Sequence, residues 1–197
     1  MTTRRVAWRR SDEVETDEHC TLTIRDSGLS LVGTVLGADG GLPARTEYRV
    51  LTDRAGLTTA VHVRDIRGFE TRTLGLERDA KGNWTVDGSP VRALKGCSDI
   101  DLGCSPSTNT LPIRRLRLAA GASETIRAAL VSFPELSVAK VAQTYARLDE
   151  FTYRYTSGTF SAELTVDDDG LVAAYAEWRR TGYAFGPDDT EPLDSGH

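Results

Sequence analysis

Apolar and polar residues alternate with period two over most of this chain, and Gly, Asp and Asn clusters interrupt the alternation. Cys20 to Ile24 (CTLTI) puts Cys20, Leu22 and Ile24 on one face. Asp26-Ser27-Gly28 then turns, and Leu29 to Leu36 alternates again, which predicts a hairpin. Gly37 to Pro43 reads as a loop. Thr46 to Leu51 (TEYRVL) and Thr58 to Arg64 (TTAVHVR) read as strands around an Asp53-Arg54-Ala55-Gly56 turn. Thr71 to Arg78 (TRTLGLER) passes through Asp79-Ala80-Lys81-Gly82 into Asn83 to Val86 as a further hairpin. The first ninety residues therefore predict an antiparallel meander.

Ser123 to Phe133 continues as a strand that Pro134 ends. Ser137 to Leu148 fits two readings: Val138, Val141, Ala142, Tyr145 and Leu148 would share a helix face, whereas Val141, Gln143, Tyr145 and Arg147 would share a strand face. Beyond it, Phe151, Tyr153 and Tyr155 fall on one face of a strand. Phe160 to Val166 and Leu171 to Tyr175 flank Asp167-Asp168-Asp169-Gly170 as a last hairpin, which Glu177 to Arg180 extends. LGLERDAKGNWTV and AELTVDDDGLVAA echo each other as strand, acidic turn closing in Gly, and strand. The chain is read as one domain over residues 1–182. A polar tail over 183–197, rich in Pro, Gly and Asp, is expected to be poorly ordered.

A length of 197 residues suits one core. With 24 Lys plus Arg against 29 Asp plus Glu, the net charge of -5 repels a nucleic-acid backbone, so nucleic acid is not an expected partner. No apolar run reaches the roughly 18 residues of a membrane helix, so integral membrane association is not expected. The start, MTTRRVAWRRSDEVETDEH, carries basic residues with no apolar stretch behind them, and a cytoplasmic location is expected. Cys20, Cys97 and Cys104 are too few for a disulfide framework and read as free thiols, while His19, His62 and His197 are the only histidines.

The chemistry concentrates in Cys97 to Leu116, CSDIDLGCSPSTNTLPIRRL. Asp99 and Asp101 would share a strand face, as alternate carboxylates holding a divalent cation do, or they would pair with Arg114, Arg115 or Arg117. The six-residue gap from Cys97 to Cys104 exceeds that of a zinc knuckle, and a cysteine nucleophile would need a base from His19 or His62. The Asp167 to Gly170 acids lack the alternate spacing of an EF-hand. Pro106 and Pro112 are expected to hold their segment extended, so that Arg114, Leu116 and Leu118 face one way and Ile113, Arg115 and Arg117 the other. Trp84 and Trp178 read as core residues. Tyr145, Tyr153 and Tyr155 fit either a core or a pocket wall, apolar at the ring and hydrogen-bonding at the hydroxyl.

Taken together, Cys97 to Leu102, Ser105 to Leu116, Phe133-Pro134, Gln143-Thr144-Tyr145, Tyr153-Arg154-Tyr155, and Val166-Asp167 with Gly170-Leu171-Val172 resemble the glycolipid-binding family of bacterial proteins, formerly a domain of unknown function. The likeness spans about Trp8 to Arg180. It implies a mainly β fold, a single curved antiparallel sheet forming a roll or partly open barrel with few helices, similar in shape to bacterial lipoprotein carriers. Family members carry a tryptophan near the Asp53 turn that Gly56-Leu57 here lacks. The resemblance brings no catalytic set and no cofactor. It marks Asp99, Asp101, Asn109, Arg114 and Arg115 as special positions, to which Tyr145, Tyr153 and Tyr155 add themselves as ligand-binding candidates. The expected function is non-catalytic binding of a glycolipid or other amphiphile in a groove of the curved sheet, with the Cys97 to Leu116 stretch crossing one end. The alternatives are a metal-dependent enzyme acting on a sugar or lipid phosphate through Asp99 and Asp101, and an interaction module without a small ligand.

Overall fold

A computed structural model describes residues 1–12 and 15–186. Fifteen strands form one sheet: β1 (Thr2–Arg10), β2 (Thr16–Arg25), β3 (Gly28–Asp39), β4 (Leu42–Thr52), β5 (Thr58–Arg67), β6 (Glu70–Arg78), β7 (Trp84–Val86), β8 (Ser89–Pro90), β9 (Asp99–Leu102), β10 (Ser123–Ser132), β11 (Ser137–Arg147), β12 (Thr152–Ser157), β13 (Phe160–Val166), β14 (Val172–Tyr175) and β15 (Trp178–Phe185). Their order is β8-β7-β6-β5-β4-β3-β2-β1-β15-β14-β13-β12-β11-β10-β9. Two meanders thus meet where β1 pairs with β15. All neighbours are antiparallel except β9, which lies parallel to β10. The sheet is curved and not closed into a barrel, a mainly β roll as the family resemblance implied. Thr58 at the start of β5 receives the sheet's far edge, its N–H donating to Ser98 O at 3.0 Å and its hydroxyl accepting from Ile100 N–H at 3.2 Å.

Period-two alternation places one side of each strand inside. On β2, Glu18, Cys20 and Leu22 are buried while Asp17 and His19 are exposed; on β4, Thr46, Tyr48, Val50 and Thr52 are buried. The larger core draws on β1 to β7, β9, β10 and β15, with Trp8 and Trp84 among its largest side chains. The indole of Trp8 donates to Val172 O at 2.7 Å and ties the two meanders together. A smaller core gathers Ile113, Ile126, Tyr145, Tyr153, Tyr155, Leu164, Val166 and Val172.

Three turns repeat one geometry. In Asp53 to Leu57, Asp79 to Asn83 and Asp167 to Leu171, the aspartate N–H donates to the carbonyl four residues on, and its carbonyl accepts from the glycine three on. In each, the aspartate Oδ1 accepts from the N–H groups two and four residues on. A short carboxylate supplies the acceptors that the turn amides lack, and glycine supplies the positive φ.

The structure corrects several expectations. Gly37 to Pro43 is not a loop: β3 and β4 run on to Asp39 and from Leu42, leaving Gly40-Gly41 as the turn. Ser137 to Leu148 resolves as the strand β11. The last strand continues to Phe185, three residues past the expected domain end at 182, and the rest of the expected tail, 187–197, lies outside the described residues. The largest difference is in Ser105 to Arg117, which is helical and not extended. A 3-10 turn at Ser107–Asn109 leads into α1 (Thr110–Leu116). Pro106 takes an α-region conformation before the turn, and Pro112 falls in the first turn of α1, where no intrahelical N–H is required. Arg117 closes the helix in the left-handed conformation, at φ 46°.

Candidate functional site

Nine consecutive residues, Ser105 to Ile113, are buried. The stretch expected to cross one end of an open groove instead packs inside the roll and fills it. Leu111 joins the larger core and Ile113 the smaller. Its polar atoms bond to the walls: Tyr145 Oη donates to Asn109 Oδ1 at 2.8 Å, and Leu102 N–H donates to Thr108 Oγ1 at 3.3 Å. Ser105 Oγ donates to Glu18 Oε1 at 2.7 Å, Tyr48 Oη bonds the same oxygen, and Ser107 Oγ lies 2.7 Å from Ser105 Oγ and 2.8 Å from Tyr48 Oη. Burial is the main cause that pushes the Glu18 carboxyl up to about 7, against the opposing pull of those hydroxyls.

Where α1 leaves the interior, two of the aspartate turns grip it. An added Cβ at Gly56 would stand 3.2 Å from Arg115 Cβ, and one at Gly170 would stand 3.1 Å from Arg114 Cγ. Glycine at these positions therefore permits close approach as well as positive φ. Arg115 makes a forked contact with Asp99, Nη2 to Oδ2 at 2.5 Å and Nε to Oδ1 at 3.2 Å, and Ser98 Oγ donates to the same carboxylate at 2.5 Å. The expected pairing of an aspartate with an arginine thus forms between Asp99 and Arg115. Arg114 turns the other way, donating to the carbonyl of Asp169 and standing 3.8 Å from its carboxylate, which also takes a 2.6 Å contact from Arg4. Burial is the first cause that lowers the Arg114 pKa, and the positive charges of Arg117 and Arg4 add to it.

Asp101 does not join this cluster. Its carboxylate accepts from Gln143 Nε2 at 2.6 Å and from Tyr155 Oη at 3.4 Å, pairs with no cation among the described residues, and is shifted upward by burial. The two aspartates are therefore committed to different partners. Among the described residues, no group of three or more His, Cys, Asp or Glu stands close enough together to hold a metal ion. Tyr145 and Tyr155 pack ring to ring at 5.2 Å within the smaller core, whereas Tyr153 lines a cleft. Tyr145→Phe is expected to cost about 1–2 kcal/mol in chemical denaturation, because it leaves the buried Asn109 carbonyl without its donor.

Two clefts open beside the C-terminal end of α1 and share Arg114 and Arg117. The first, about 390 Å³, has Tyr153, Phe151 and Val166 as apolar wall and balances Arg114, Arg117 and Arg147 against Glu150 and Asp167 to Asp169. The second, about 480 Å³, has Ile24, Leu29 and Leu111 as apolar floor beneath Arg25, Arg54, Arg114, Arg115 and Arg117, with Asp53 its one acidic side chain. A larger cleft of about 960 Å³ lies elsewhere, between the β6–β7 hairpin and Val91 to Lys95. Sequence reasoning missed Arg25, Arg54, Glu18 and Tyr48. For Glu18 a signal existed, since it stands two residues before Cys20 on the inward face.

Residues 5–180 match the family described as "Putative glycolipid-binding". The crystal structure of a DUF1089 family protein from Pseudomonas aeruginosa is 35% identical, with a TM-score of 0.74 over 85% of this chain and 91% of that one. A β-barrel-like protein of domain of unknown function DUF1849 from Brucella abortus shares the fold at 8% identity, with a TM-score of 0.58 over 94% of this chain and 98% of that one. No curated protein matches the chain. With 176 of its 197 positions inside the matched span, and with the Asp99–Arg115 pair and the buried Ser105 to Ile113 segment falling within it, the chain belongs to the glycolipid-binding family.

Proposed function

We propose that the protein is a non-catalytic binder of an amphiphile such as a glycolipid, with the polar head group seated at the mouth beside α1. The observation that carries this reading is the pairing of arginine and apolar floor there: Arg114 and Arg117 stand between two clefts whose bases are Ile24, Leu29 and Leu111 on one side and Ile113 and Val166 on the other. Volumes of 390 and 480 Å³ suit a head group and the first part of a chain. Guanidinium forks suit polyhydroxylated and anionic partners. Family membership supports a binding role. Because the interior is filled by the chain itself, the remainder of an acyl chain would stay outside the roll.

Calorimetric titration of delipidated protein against a panel of glycolipid and phospholipid micelles tests the reading. Saturable binding is expected for at least one member of the panel, weakened about tenfold by Arg117→Ala, which corresponds to about 1.4 kcal/mol. The Arg117 side chain is exposed and makes no hydrogen bond or ion pair with a described residue, so its truncation is expected to leave the fold intact. Absence of saturable binding across the panel overturns the proposal. The filled interior is also the observation that favours a second reading, an interaction module without a small ligand. That reading predicts no lipid binding together with stable capture of a protein partner.

A further inference from the structure

The two clefts at the mouth differ in charge. In the 390 Å³ cleft four acidic residues face three arginines. The 480 Å³ cleft has five arginines and one aspartate. Two of those five are engaged, Arg115 by Asp99 and Arg114 by Asp169. The other three, Arg25, Arg54 and Arg117, make no side-chain hydrogen bond or ion pair with any described residue. Asp53 offers only partial compensation, since its Oδ1 is committed to the N–H groups of Ala55 and Leu57. In a chain of net charge -5, three uncompensated guanidinium groups converging over an apolar floor are a local reversal of sign. The positions are also held firmly. Arg25 closes β2, Arg54 sits in an aspartate turn pinned by backbone bonds, and Arg117 is fixed at the left-handed end of α1. Unpartnered guanidinium groups carried on a fixed backbone suit a tetrahedral oxyanion, whose oxygens each accept from a fork of N–H donors.

We infer that the cleft of Arg25, Arg54 and Arg117 is a phosphate-type oxyanion site, which selects anionic over neutral head groups. The inference rests on the amphiphile reading only for the source of the oxyanion. A free phosphate compound would satisfy the same chemistry.

The experiment uses the full chain with four probes: inorganic phosphate in solution, phosphatidylcholine vesicles, and the same vesicles doped with phosphatidylglycerol or with a neutral galactosyl lipid. Two triple variants are compared with wild type, Arg25→Ala/Arg54→Ala/Arg117→Ala in the cleft and Arg5→Ala/Arg49→Ala/Arg127→Ala elsewhere. All six side chains are exposed, and thermal melts confirm folding. The wild type is expected to bind phosphatidylglycerol vesicles at least tenfold more tightly than the neutral galactosyl vesicles. Added phosphate should compete, and the cleft variant should lose at least tenfold while the charge-matched control keeps its affinity. Equal losses in both variants would mean diffuse surface charge and overturn the inference. Preference for galactosyl over phosphatidylglycerol vesicles overturns it too, while the amphiphile reading stands if Arg117→Ala alone still weakens the galactosyl binding. Phosphate binding that requires the cleft arginines, with no vesicle bound, upholds the oxyanion site and removes the amphiphile reading. No binding of any probe removes both.

Discussion

Asp99→Ala is expected to destabilise the protein by about 3–5 kcal/mol, the range for breaking a buried ion pair by deleting one partner. The Asp99 side chain is 1% exposed and its forked contact satisfies Arg115, which is itself only 16% exposed. Removing the carboxylate strands a desolvated guanidinium whose remaining side-chain partner is Ser98 Oγ. Some relief comes from the adjoining 480 Å³ cleft, into which Arg115 can swing toward water, and this places the expectation at the lower end. Two companions make the result specific. Arg115→Met alone leaves the Asp99 carboxylate without its cation and is also destabilising. The double variant Asp99→Ala/Arg115→Met should lose less than the sum of the two, because neither charge is then left unpaired. Urea unfolding of the four proteins measures this coupling. The metal-dependent enzyme reading makes the opposite prediction. There Asp99→Asn would leave unfolding unchanged and abolish an activity that responds to magnesium or manganese, an outcome that would sink the structural assignment of Asp99.

How legible this site was in the sequence depends on the range of the interaction concerned. The aspartate turns at Asp53, Asp79 and Asp167 can be read from four letters, because carboxylate and glycine solve the turn's backbone problem locally. Most strands of the two meanders are readable as well, since burial on one side imposes period two, although β1 went unread and β11 fitted a helix face equally. Pro43 misled the reading of residues 37–43. It sits one position beyond the last pair between β4 and β5, where that ladder has ended and a missing N–H costs little. α1 escaped because seven residues are too few to display a helical period, and its two prolines normally signal extended chain. Such a helix owes its existence to burial of Thr110 to Ile113 between the sheet's two halves and not to propensity. The Asp99–Arg115 pair was foreseeable from complementary charges within twenty residues. The partners of Asp101 were not, since Gln143 and Tyr155 reach it from β11 and β12, 42 and 54 positions away. Arg25 and Arg54 were hidden for the same reason: only the curvature of the sheet brings two separate turns to the end of α1.

That filling segment also carries the protein's expected response to pH. Glu18 is 1% exposed, and its carboxyl is raised from about 4.5 to about 7, chiefly by burial. Oε1 accepts from Tyr48 and Ser105, while Oε2 is buried and bonded to no described residue. The folded state thus holds the proton more tightly than the unfolded chain. Below about pH 4.5 this contribution to stability is complete. It falls away as pH rises through about 7 and is absent above, a loss of about 3 kcal/mol for a shift from 4.5 to about 7. The neighbouring Cys20, Cys104 and Tyr48 are pushed upward by burial, away from this window. Asp101 is also raised, so it adds a slope of the same sign, whereas Asp79 and Asp149 are lowered and act at more acidic pH. Glu18→Gln isolates the one group, because the amide keeps an oxygen for Tyr48 and Ser105 and cannot ionise. Urea midpoints measured from pH 5 to pH 8.5 should show the wild type losing about 3 kcal/mol more than Glu18→Gln, with the variant the more stable protein at the alkaline end. Parallel profiles for the two proteins would mean that Glu18 is not the titrating group. The carboxyl's bonds run to Ser105 and, through Tyr48, to Ser107, so the same titration should loosen the segment that fills the roll. Amide exchange at Ser105, Ser107, Thr108 and Asn109 is therefore expected to quicken between pH 6 and pH 8 in the wild type beyond the intrinsic base-catalysed rate, and to follow that rate alone in Glu18→Gln.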